Sequence, residues 1–120
     1  MKKILIPLDI KNKNGRIYTK DSFKNLCNKT FLLEHFTQVA SPTVDLNNVV
    51  GQIQNVCIEE NNVVGEIMLM DKYLVLQDLI QTDSVSIRPK SMALVDEKSG
   101  LVSNCELLSF DLVHKNLDSF

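Results

Sequence analysis

The sequence has few cysteines, no tryptophan and no long apolar run, and each shortage excludes a class of protein. Its three cysteines, Cys27, Cys57 and Cys105, are widely spaced and form no CxxC pair, so a structural zinc site is not expected. The odd number favours a reducing compartment and buried thiols that act as small hydrophobic side chains. With only five Phe and two Tyr, the chain also lacks the aromatics of a platform that stacks nucleic-acid bases.

Charge and hydropathy exclude further partners. Thirteen Lys and Arg stand against 15 Asp and Glu, a net charge of −2, which suits neither a phosphate-neutralising surface nor an acidic disordered chain. The longest apolar stretch, 68–76, is broken by Asp71 and Lys72 and falls far short of the roughly 20 residues that span a bilayer. Asp9 and Lys11 end the N-terminal apolar run early, which favours a first strand over a signal peptide. We therefore expect no nucleic acid and no membrane among the partners.

Length and pattern predict one domain over residues 1–120. The chain is 44% hydrophobic and 23% charged, as is typical of a globular domain that buries its own core. Apolar periodicity predicts helices over 20–28, capped by Thr19, and over 72–81, capped by Asp71. Runs of strand-forming residues occupy 4–10, 49–59, 63–70, 84–95 and 101–113. The predicted class is α+β, with an antiparallel β-barrel-like core and two or so flanking helices.

A serine and an arginine on one predicted strand form the first candidate site. Alternation along 84–95 places Ser86 and Arg88 on one face, where a hydroxyl and a guanidinium point the same way. A hairpin turn centred on Lys98 and Ser99 would set Ser86 directly opposite Asp111. His35 is the candidate general base for such a serine.

The order of short motifs along 12–114 resembles the phage prohead proteases. These capsid maturation proteases of tailed phages are related in fold to the herpesvirus assemblins. The motifs are Asn14-Gly-Arg-Ile-Tyr18, Leu33-Glu-His35, Val44-Asp-Leu-Asn-Asn-Val49, Val85-Ser-Ile-Arg88 and Asp111-Leu-Val113. Each motif is short, and their joint order carries the resemblance.

The resemblance implies a serine endopeptidase that cleaves scaffold and major capsid proteins inside the assembling prohead, in the host cytoplasm. Ser86 takes the place of the family's nucleophile and His35 that of its base, with no metal or organic cofactor. We expect Asp111 to orient His35 and Arg88 to act at the oxyanion. His114 is the alternative third member, because the herpesvirus enzymes use a second histidine. Retention in the mature virion and homo-oligomerisation stay open.

Two neighbours of these residues depart from the family pattern. Phe36 stands where a proline usually follows the histidine, and Pro89 stands where a glycine usually follows the arginine. Pro89 has no N–H, so it removes a donor that an oxyanion hole could use. These departures keep a second hypothesis open: a catalytically inactive structural protein of the virion or scaffold. A third is a host-directed binding module unconnected with capsid assembly.

Overall fold

Six strands form one curled sheet in the computed structural model, which describes residues 1–24, 26, 28–35 and 44–114. Their order across the sheet is β1-β4-β3-β2-β6-β5, and the sheet curls into a half-barrel. The strands are β1 (Lys2–Pro7), β2 (Lys29–Glu34), β3 (Val49–Glu59), β4 (Asn62–Leu69), β5 (Val85–Val95) and β6 (Val102–His114).

Two long hairpins, β3–β4 and β5–β6, form from the segments that the sequence predicts as strands, and this part of the prediction is confirmed. The β5–β6 turn is closed by Asp96, whose Oδ1 accepts hydrogen bonds from the backbone N–H groups of Lys98 at 2.9 Å and Ser99 at 3.0 Å. These two donors hold the pKa of the Asp96 carboxyl below its ordinary value. Local turn chemistry therefore fixes where β5 ends.

The prediction of an α+β fold with two flanking helices is wrong. Of the described residues, 57% are in strands and 14% are helical, and their single α-helix is α1 (Leu76–Gln81). Three short 3₁₀ turns, Lys20–Ser22, Leu46–Asn48 and Asp71–Tyr73, supply the other helical residues. Of the helix predicted over 72–81, only the second part, α1, is α-helical. None of these helical segments has the length and apolar character needed to cross a membrane.

Long-range contacts prevent the predicted helix over 20–28. The Ser22 hydroxyl is buried and donates to the carbonyl oxygen of Val102 at 2.6 Å. Phe23 then continues in extended conformation, pairs its backbone with Cys105, and stacks its ring on Tyr18. These contacts with β6 outweigh a weak intrinsic helix preference. Asn25 and Cys27, which belong to the predicted helix, lie outside the described residues.

Strand β2 pairs with β6 in parallel, although the sequence analysis predicts only antiparallel hairpins. Leu33 lies beside Phe110 and Glu34 beside Asp111. Leu33 and Phe110 are fully buried on the face that carries the apolar core. Alternation places Glu34 and Asp111 on the other face, where they are buried as well. We call this second face of β2, β6 and β5 the polar face.

Gly100 offers a stability test of the β5–β6 turn. Its φ is +78°, and an added Cβ would overlap the carbonyl oxygen of Gly15. We expect Gly100→Ala to lower the free energy of unfolding by about 2–4 kcal/mol, since overpacking and a positive φ both oppose the methyl group.

Gly15 is the matched control for this substitution. Its φ is +76°, but no atom lies within 4 Å of an added Cβ. Gly15→Ala should therefore cost only about 1 kcal/mol in urea denaturation, from backbone strain alone. Equal losses in the two variants would contradict the close approach of Gly100 to Gly15.

Candidate functional site

The predicted nucleophile and orienting acid lie on two adjacent strands at one edge of the sheet, and the predicted base directly follows the third strand. His35 directly follows β2, Asp111 lies on β6, and Ser86 lies on β5. Because β6 separates β2 from β5, the backbones of His35 and Ser86 are roughly 10 Å apart at the usual strand spacing. At this backbone spacing the two side chains must extend toward each other to meet. In proteases without substrate, contacts between nucleophile and base are often long and tighten on binding.

His35 is exposed, at the point where the chain bends out of the sheet. Its backbone N–H donates to the carbonyl oxygen of Asn48 at 2.6 Å, so the end of β2 is still held by the segment before β3. Phe36, the altered neighbour of this histidine, lies outside the described residues. His114 ends β6, pairs with Val85 and is exposed.

The predicted pairing of Ser86 with Asp111 is wrong by two residues. Arg88 lies opposite Asp111, and Ser86 lies opposite Val113. Near the turn, Val95 pairs with Val102 as the sequence predicts, but two bulges then displace the register by one residue each. An even displacement preserves the faces of a strand, so Ser86 and Arg88 stay on the polar face with Asp111.

Pro89 fits β5 because this strand lies at the edge of the sheet. Proline is tolerated in edge strands, where one row of backbone groups has no neighbouring strand. Pro89 pairs with Phe110 and is half-buried. The departure from the family's glycine therefore leaves the strand intact and removes only an N–H donor near Ser86.

A buried charged cluster, which sequence analysis missed, occupies the polar face beside these residues. The Lys90 ammonium lies 2.9 Å from Glu34 Oε1 and 3.7 Å from Asp111 Oδ1. The Ser109 hydroxyl donates to the same Glu34 oxygen at 3.1 Å. The three charged side chains are 7%, 1% and 3% exposed, in the order Lys90, Glu34, Asp111. We call Glu34, Lys90, Ser109 and Asp111 the Lys90 cluster.

Glu34 makes three polar contacts in and around the Lys90 cluster. Besides Lys90 and Ser109, the backbone N–H of Asp45 reaches its Oε2 at 3.4 Å. Glu34 and Asp111 are neighbours on adjacent strands and share a single buried ammonium. Buried carboxylates at this separation stay ionised together only when a cation and hydrogen-bond donors offset their repulsion.

Alternation could have found part of this cluster. Lys90 follows Arg88 by two residues and Ser109 precedes Asp111 by two, so both are on the predicted polar face. Glu34 could not be found this way, because it joins the cluster through the parallel β2–β6 pairing.

The cysteines and the acidic residues give no competing site in the described parts of the chain. Cys105 is buried, as predicted, and burial raises the pKa of its thiol, which disfavours the nucleophilic thiolate. Cys57 is only half-buried, contrary to the prediction, and Cys27 lies outside the described residues. No group of three or more His, Cys, Asp or Glu side chains in the described ranges could hold a metal ion.

Comparison with known proteins gives no relative: no family model, curated protein or solved structure matches this chain. Its function is therefore argued from the motif order and from the geometry of the polar face.

Proposed function

We propose that this protein is a serine endopeptidase of the prohead type, which cleaves scaffold and major capsid proteins as a phage head matures. One observation carries the proposal: in the sheet order β2-β6-β5, the strand that leads to His35 lies beside the strand of Asp111, which lies beside the strand of Ser86. These residues are far apart in sequence, and each comes from a different motif of the family resemblance.

The proposed chemistry assigns one task to each side chain. His35 accepts the Ser86 proton as the hydroxyl oxygen attacks the scissile carbonyl, and later returns a proton to the leaving amine. Asp111, on the strand between them, orients the imidazole and stabilises its charged form. Arg88, opposite Asp111, supplies positive charge where the oxyanion develops, since Pro89 has no N–H to offer.

The proposed substrates and the proposed location of cleavage follow from the family resemblance and belong to the same proposal. The substrates are phage scaffold and major capsid proteins, and cleavage takes place inside the assembling prohead in the host cytoplasm. The proposed reaction needs neither metal nor organic cofactor, because the nucleophile, base and oxyanion partner are all side chains.

A second candidate, an inactive structural protein on the same sheet, is favoured by the surroundings of Asp111. Its carboxylate lies 3.7 Å from the Lys90 ammonium, and Arg88 lies directly across from it. A buried carboxylate this close to an ammonium resembles a structural ion pair more than an acid that orients an exposed histidine.

Fluorophosphonate labelling separates the two candidates. We expect the folded wild-type protein, purified with its capsid and scaffold partners, to be labelled at Ser86, and labelling to disappear in His35→Ala because the base is then missing. Peptide mass spectrometry of the labelled protein locates the modified residue. An unlabelled wild-type protein would support the structural candidate instead.

A further inference from the structure

We propose that Lys90 is a positioning residue of this site: its ammonium keeps Asp111 ionised and locks the strand that leads to His35. The inference rests on the proposed protease function. Nothing in the sequence motifs singles out Lys90; its position in the folded sheet does.

Geometrically, Lys90 connects the three strands of the site. It lies on β5 four residues after Ser86, pairs with Ser109 on β6, and reaches Glu34 at the end of β2. One side chain thus links the strand of the nucleophile to the residue immediately before His35. With a side chain only 7% exposed, Lys90 has little freedom to leave this position.

Electrostatically, the Lys90 ammonium favours the charged form of Asp111, because it lies 3.7 Å from the Asp111 carboxylate. Glu34 and Asp111 are neighbours on adjacent strands, so removing the ammonium would leave two buried carboxylates side by side and would favour the protonated form of one of them. A protonated Asp111 cannot stabilise the imidazolium of His35 in the transition state. The charged and titratable groups around Asp111 from the neighbouring strands are Glu34 on β2, Arg88 and Lys90 on β5, and His35 just beyond β2.

The test compares the pH profiles of cleavage for Lys90→Met and for Lys98→Met, a control at an exposed lysine in the β5–β6 turn. Lys90→Met should lower kcat about 100-fold at pH 7 and leave KM within about threefold, because the loss is in transition-state stabilisation. The acid limb of its profile should move up by about one pH unit, since the carboxylate pair releases its last proton later. Lys98→Met should match the wild type.

A double variant distinguishes charge balance from simple structural support. Lys90→Met combined with Glu34→Gln removes the ammonium together with the competing carboxylate, so Asp111 can ionise again. We expect the double variant to recover at least about tenfold of the lost kcat. If Lys90 only supported the fold, removing a second partner from the cluster would add to the damage.

The outcomes distinguish a failure of the proposed Lys90 role from a failure of the proposed protease function. A wild-type kcat and an unmoved acid limb in Lys90→Met would overturn the role of Lys90, while labelling at Ser86 would keep the protease function intact. An unlabelled and inactive wild-type protein would overturn both. If Lys90→Met does not fold, Glu34→Gln decides: its acid limb should move to lower pH, because one ammonium then serves a single carboxylate, and an unmoved limb refutes the inference.

Discussion

Replacing Ser86 with alanine is expected to abolish processing of the scaffold and capsid proteins. Removing the nucleophile of a serine protease typically lowers kcat by about 10⁶-fold, which leaves no product visible in an assembly assay. The hydroxyl contributes little to the fold, because Ser86 is only half-buried and lies at the polar face. We therefore expect the free energy of unfolding to change by less than about 1 kcal/mol.

Ser84→Ala is the matched control for this substitution. Ser84 precedes β5 and is exposed. Its hydroxyl lies 2.9 Å from that of Thr82, so it contacts the turn before β5 and has no role in the proposed site. Co-expression of each variant with the capsid and scaffold proteins, followed by mass spectrometry of the products, measures processing. Equal losses in both variants would indicate a folding effect, and processing by Ser86→Ala would refute its role as nucleophile.

The strands were predictable because their side chains alternate, whereas the register was not. Both bulges of the β5–β6 hairpin place their extra residue on β6, and Asn104 in the second bulge has a φ of +52°. Asparagine adopts this conformation more readily than most residues, so Asn104 is a sequence signal for a bulge. Leu108, the extra residue of the first bulge, carries no such signal.

The helix over 20–28 was mispredicted for a related reason. The prediction rests on the helical spacing of Phe23, Leu26 and Cys27, and so short an apolar pattern does not by itself distinguish a helix from an irregular segment. Here the Ser22 hydroxyl and the Phe23 backbone bind to β6, and neither contact can be inferred from local sequence.

Part of the candidate site could likewise be predicted from alternation along the strands, and part could not. Ser86, Arg88 and Asp111 share a face by alternation alone, and the two-residue displacement leaves that face unchanged. Glu34 and Lys90 meet only because β2 lies parallel to β6, a pairing between strands that are distant in sequence. Such long-range pairing is set by the whole fold and not by a local pattern.

Asp111→Asn should lower the cleavage rate by about 10⁴-fold. The amide can still occupy the space on β6, but it carries no charge to stabilise the imidazolium and can hold the imidazole in the wrong tautomer. Asp111 is 2% exposed, so solvent cannot replace the lost charge. The measurement is the single-turnover rate of cleavage, with circular dichroism to verify that the variant is folded.

His114→Gln decides between the two candidates for the third member. His114 ends β6 three residues after Asp111, so alternation turns it to the opposite face of the strand. If Asp111 is the third member, this replacement should change the rate less than about threefold, because the proposed proton transfer then makes no use of the His114 side chain. The reverse ranking, a severe loss in His114→Gln and a mild one in Asp111→Asn, would establish a Ser-His-His arrangement. Asp111 would then have only a structural role, as the ion-pair partner of Lys90, and no part in the proton transfer.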